Sequence, residues 1–124
     1  MSDTTEPSPH EPAAQRVVRV GLIKAVPVVC DLELNWSTFE TLARQGVERG
    51  AQLICTPEGF LDGYPVDWDR QRMSAERLRS VSQRLDGEGY VLRAGRFARD
   101  HGVHLIFGCS ELDDDGGSYN AGKC

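Results

Sequence analysis

The stretch Leu53-Ile54-Cys55-Thr56-Pro57-Glu58-Gly59-Phe60-Leu61-Asp62-Gly63-Tyr64-Pro65 passes from an apolar run into a turn. Its first part reads as a short strand that Pro57 closes, because proline offers no N–H to a ladder and fixes its own φ. Gly59 lets the backbone reverse. Glu58 therefore stands just past the C-terminal end of a strand, the end at which open α/β sheets form ligand crevices. Phe60 and Tyr64 are spaced to wall a small apolar pocket beside it. Partial desolvation by such walls is one way in which a carboxylate is tuned as a general base. The plainer alternative is an acid pointing into water beside a turn, as most loop carboxylates do.

Upstream, Val17-Val18-Arg19-Val20-Gly21-Leu22-Ile23 is a β-branched run that reads as a preceding strand. Its near-continuous apolarity predicts burial on both faces. Between the two strands, Trp36, Phe39, Leu42, Ala43 and Val47 recur at helical spacing, with Asp31 or Asn35 as cap and Gly50 as stop. Strand, helix and strand at this spacing predict a parallel pair. The segment 58–72 is a long irregular loop, a kind that is often functional. Beyond it, a short helix from Ser74 carries Leu78, Val81 and Leu85 and ends at Asp86-Gly87. A second helix over 88–100 stops at Gly102. Val103 to Cys109 is a third strand, and Ser118-Tyr119-Asn120 begins its returning partner after an Asp-Gly turn. The order β-α-β-loop-α-α-β-β predicts an α/β layered fold.

The 124 residues suit one domain. A net charge of −5 from 14 Lys+Arg and 19 Asp+Glu gives no electrostatic footprint for nucleic acid or an anionic membrane. No apolar run approaches the roughly 20 residues that cross a bilayer. Residues 1–15, with Pro7, Pro9 and Pro12, read as a flexible tail and lack the pattern of a secretory signal. The domain is expected over 16–124. Cys30, Cys55, Cys109 and Cys124 form no C-x-x-C pair, so neither a metal site nor a disulfide framework is expected, and the reading is a reducing, cytoplasmic setting. The Asp113–Asp115 run lacks the alternating ligands of a calcium loop. No glycine-rich phosphate loop follows the first strand, which argues against a nucleotide-binding module.

T-P-E-G-F-L-D-G-Y-P resembles the glutamate motif of the nitrilase superfamily of carbon–nitrogen hydrolases. V-R-V-G-L-I-K-A-V-P resembles that family's first strand, and the stretch from Asp31 to Ile54 its first helix and second strand. R-F-A-R-D-H-G-V-H-L-I-F-G-C-S-E-L with Gly117-Ser118-Tyr119-Asn120 resembles its next helix, strand and hairpin. The likeness covers about residues 16–121. It implies an α-β-β-α sandwich, here partial and truncated, that assembles into dimers or larger oligomers when intact. It implies hydrolysis of nitriles, amides or carbamoyl compounds, small molecules with non-peptide C–N bonds, without metal or organic cofactor. Its catalysts are a glutamate base, which maps to Glu58, a lysine and a cysteine nucleophile.

The lysine and cysteine lie in the family well beyond the matching hairpin. Lys123 and Cys124 have the right letters but come too early and are adjacent at a free end. The chain is therefore expected to carry the base without the nucleophile and to be inactive alone, the rival expectation being a non-catalytic assembly subunit. Lys24 stands where the family commonly has glutamine, and it reads as an ion pair with Glu58 or a solvated strand end. Cys109 reads as a buried small thiol and Glu111 as a pocket or surface acid. Asn120 reads as a hairpin backbone brace, His104 as a core histidine, and His101 as a favourable charge at a helix C-terminus.

Overall fold

The computed structural model describes residues 15–65, 73–86 and 88–124. Residues 1–14 of the expected 1–15 tail, the far part of the 58–72 loop and Gly87 lie outside the described residues. The elements are β1 (Val20–Leu22), α1 (Leu32–Glu48), β2 (Leu53–Cys55), α2 (Ala75–Val81), α3 (Gly89–His101), β3 (His104–Leu112) and β4 (Ser118–Lys123). They build one sheet in the order β1-β2-β3-β4. The first three strands are parallel and β4 runs antiparallel to β3.

Local chemistry explains most boundaries. Asp31 caps α1 by accepting from the Leu34 N–H at 3.1 Å, which satisfies one of the orphan donors of the first turn. Ser74 caps α2 in the same way through Arg77 N–H, 3.0 Å. Gly102 ends α3 at φ +63°, a left-handed stop that glycine adopts at no steric cost. Two expectations are corrected here. β1 is three residues long rather than seven, with Val17 and Val18 exposed. The helix from Ser74 stops before Leu85, because Gln83 is drawn onto the sheet: its N–H donates to Ser110 O at 2.7 Å and its carbonyl accepts from Leu112 N–H at 2.8 Å.

Helices α1 and α3 pack on one side of the sheet, where right-handed crossovers between strands paired in chain order put them. That side holds the core. Ile54, Leu105 and Phe107 from the sheet meet Trp36, Phe39 and Ala43 of α1 and Ala94 and Phe97 of α3. Phe39 is fully buried, with ring centroids 5.3 Å from Phe97 and 5.2 Å from Phe107, both edge-on. Each such ring contributes about 1.5–3 kcal/mol by leaving water. The opposite face is not buried as the apolar run at 17–23 predicts. Register puts Val20, Leu53 and His104 in one cross-strand row and Leu22, Cys55 and Ile106 in the next. Leu22 is 73% exposed and Ile106 39%. His104 is exposed too, not a core histidine.

Candidate active site

The turn after β2 is held against β3 by two backbone bonds and one to a side-chain hydroxyl. Thr56 N–H donates to Ile106 O at 3.0 Å, Leu61 N–H to Gly108 O at 3.1 Å, and Gly108 N–H to Thr56 Oγ1 at 2.8 Å. The approach is so close that a Cβ on Gly108 would lie 2.5 Å from Pro57 O and 2.9 Å from Gly59 N. Gly59 has φ +57°, and Tyr64 N–H closes the reversal on Gly59 O at 2.8 Å. Glu58 projects from the middle of this clamped segment.

The far end of the turn is tied down by polar side chains in the interior. Asp62 is 1% exposed. Its Oδ1 accepts from Ser110 N–H at 2.9 Å and its Oδ2 from the Ser110 hydroxyl at 2.8 Å. Burial pushes the Asp62 carboxyl above the usual carboxylate range, against the downward pull of the Ser110 donors. Asn35, inside α1 rather than at its cap, is also 1% exposed. Its Nδ2 donates to Leu61 O at 2.8 Å and Val28 O at 2.7 Å, while its Oδ1 accepts from Val28 N–H at 2.8 Å. Helix α1 thereby fixes both the glutamate turn and the strap that follows β1.

Glu58 is exposed, not enclosed by an apolar pocket. Its Oε1 accepts from the side-chain amide of Asn120 on β4. Asn120 pairs across the hairpin with Ser110, the residue that Asp62 holds. Tyr64, Asp62, Ser110, Tyr119 and Asn120 line a cavity of about 180 Å³ at this end of the sheet. Tyr64 thus reaches the cavity, but Phe60 does not wall it. The reversal at Gly59 turns the Phe60 ring into the core, where it is fully buried.

The other sequence-picked groups lie elsewhere. Lys24 makes no ion pair with Glu58. It lines a separate cavity of about 520 Å³ along the free edge of β1 with Arg19 and Arg49. Lys123 and Cys124 line a third cavity, about 210 Å³, against Ala94 and Ala98 of α3. Cys109 is fully buried. Burial first, then the negative charges of Asp62 and Glu111, push its thiol up to about 11, which keeps it protonated and unreactive at neutral pH. Among the described residues no group of three or more His, Cys, Asp or Glu is gathered to hold a metal. Also among them, no helix is long and apolar enough to cross a membrane. Sequence reasoning missed Asn120 as a partner of Glu58, and missed Asp62, Ser110 and Asn35 altogether as site supports. The available signal was a polar residue set inside an apolar run, as in Phe60-Leu61-Asp62-Gly63.

Comparison with known proteins agrees with this geometry. The carbon-nitrogen hydrolase family model matches residues 19–123. A nitrilase of Pyrococcus abyssi is 29% identical over 100 residues, covering 80% of this chain and 36% of the relative. An aliphatic nitrilase of Rhodococcus rhodochrous is 31% identical over 106 residues, covering 81% of this chain and 28% of the relative. Among solved structures, a mutant of the Nesterenkonia AN1 amidase, from the nitrilase superfamily, superposes with a TM-score of 0.51 at 29% identity. That match covers 75% of this chain and 32% of the amidase. The chain spans about a third of the length of these relatives. With the match running from β1 through β4 and spanning the glutamate turn, the chain belongs to the carbon-nitrogen hydrolase family.

Proposed function

We propose that residues 16–124 supply the glutamate-bearing portion of a nitrilase- or amidase-type site acting on small nitriles or amides, with Glu58 as general base. The observation that supports this most is the placement of Glu58. A turn bonded to β3 at Thr56, Leu61 and Gly108 presents a carboxylate at the C-terminal end of the parallel strands, beside a cavity that Tyr64 and Asn120 line. In the reaction that the family likeness implies, a cysteine sulfur forms a bond to the nitrile or amide carbon and its proton passes to the glutamate. For an amide, that proton leaves with the departing ammonia; for a nitrile it goes to the nitrogen of a thioimidate, from which a first water releases ammonia. In both cases water then cleaves the thioester to the acid. A lysine offsets the charge on the tetrahedral intermediate. Lys123 and Cys124 line a different cavity from Asn120, the partner of Glu58. The chain by itself is therefore proposed to hold the base and to turn nothing over.

The test is ammonia release by the purified chain from acetamide and propionitrile. The expected rate equals that of buffer. Turnover lost on both Glu58→Ala and Cys124→Ala would overturn the reading.

A second reading, a non-catalytic assembly subunit, is favoured by a sheet face with Leu22 and Ile106 and an outer edge of β1 that have no covering element among the described residues. Exposed apolar faces and unpaired edges invite association. Sedimentation separates the two readings. A discrete oligomer supports the subunit, and polydisperse aggregation speaks against it.

A further inference from the structure

We propose that Asn120 is the positioning residue of the Glu58 carboxylate, engaging Oε1 and leaving Oε2 as the oxygen that takes up the proton. The inference rests on reading Glu58 as the base and adds to it the group that aims it.

The turn is tied to the hairpin at two points: Glu58 to Asn120 on β4, and Asp62 to Ser110 on β3. Ser110 and Asn120 are direct cross-strand partners. The four residues therefore form a closed circuit through the backbones of the turn and the hairpin. Asn120 has no freedom to slide, because Cys109 pairs with Ala121 and Glu111 with Tyr119 on either side of it. A one-residue slip would carry its side chain to the other face. The chemistry of the contact is equally directed. An amide N–H donates only, and an ionised carboxylate only accepts. Of the two oxygens of a protonated carboxyl, the carbonyl oxygen is the better acceptor for an N–H, so the contact favours Oε1 as the acceptor and Oε2 as the oxygen that takes up the proton. Among the described residues Oε2 has no hydrogen-bond partner. Without Asn120, a glutamate exposed on a turn would sample several staggered wells.

The test uses the 124-residue chain in solution and reads the Glu58 side-chain rotamer from three-bond couplings. Asn120→Leu keeps the approximate size of the residue, removes the donor and adds no charge. The wild-type chain is expected to hold Glu58 in one χ1 well. The Asn120→Leu chain is expected to average over several, with β3 and β4 backbone shifts unchanged. An asparagine needed only for the shape of the hairpin would be replaced by leucine without moving Glu58, and that result overturns the proposal. Averaging in the wild-type chain overturns it as well. Should Asn120→Leu fail to fold, Glu58→Ala gives the reciprocal reading. The bonded side-chain amide proton of Asn120 then moves to the shift of a solvated asparagine, and an unmoved resonance refutes the contact. None of these readouts requires turnover, so failure of the base assignment and failure of this inference are separately visible.

Discussion

Substituting Gly108→Ala puts one methyl group against the glutamate turn, and the cost follows from the structure. The new Cβ would sit 2.5 Å from Pro57 O, 2.9 Å from Gly59 N and 3.4 Å from Glu58 C. All three are backbone atoms, so no side chain can swing aside. Relief requires the turn to lift off β3, which stretches the bonds from Gly108 N–H to Thr56 Oγ1 and from Leu61 N–H to Gly108 O. Overpacking of this kind costs about 1–3 kcal/mol, and the strained hydrogen bonds put the expected loss in the upper half of that range. The control is Gly95→Ala in α3, where a Cβ meets nothing within 4 Å. There alanine should add about 0.5–1 kcal/mol, because glycine in a helix interior loses more conformational entropy on folding. Urea unfolding of the three chains measures both values. The two variants should move the midpoint in opposite directions. Gly108→Ala within a few tenths of a kcal/mol of the parent would show that the turn is not pressed onto β3, and the placement of Glu58 would lose its physical basis.

Three further outcomes are expected. Asn35→Ala leaves Val28 N–H, Val28 O and Leu61 O without their side-chain partner in the interior, and should cost about 2–3 kcal/mol by urea unfolding. Asp62 sets a pH dependence. Its carboxyl is raised in the fold, so the folded chain keeps the proton to higher pH than the unfolded chain does. Its contribution to stability is therefore fully present below the unfolded value, about 3.9, and declines as pH rises through the folded one. The difference in stability between the parent and Asp62→Asn should shift in that window, and a constant difference from pH 3 to 7 would contradict it. Finally, iodoacetamide on the native chain at pH 7.5 should label exposed Cys124 and spare Cys109, whose thiol is buried and pushed up to about 11. Peptide mass mapping reads the outcome.

The parts of the fold written in local chemistry were legible in the sequence. Apolar spacing from Trp36 to Val47 marked α1, Ser74 and Gly102 marked helix ends, and Pro57 and Gly59 marked the turn that carries Glu58. What was not legible depends on partners distant in sequence. Leu85 continues the apolar spacing of α2, yet the chain leaves the helix earlier because Gln83 finds better backbone partners on β3. Leu22 read as buried because an apolar run does not say which face its helices cover, and α1 and α3 fall on the same side. Phe60 and Tyr64 looked equivalent beside Glu58, but the reversal at Gly59 sends one into the core and the other to the cavity. Asn120 could be read only as a hairpin brace until the register of β4 placed it against a carboxylate 62 positions away.

Whether Glu58, as this chain holds it, acts as a catalytic base is read from a chimera that joins residues 16–124 to the remaining two-thirds of the Nesterenkonia amidase, by ammonia release from acetamide. The chimera is expected to turn over, and Glu58→Gln to lower its kcat by about 10²–10⁴-fold, the usual contribution of a positioned general base. A Glu58→Gln chimera as fast as its parent would remove that role from Glu58.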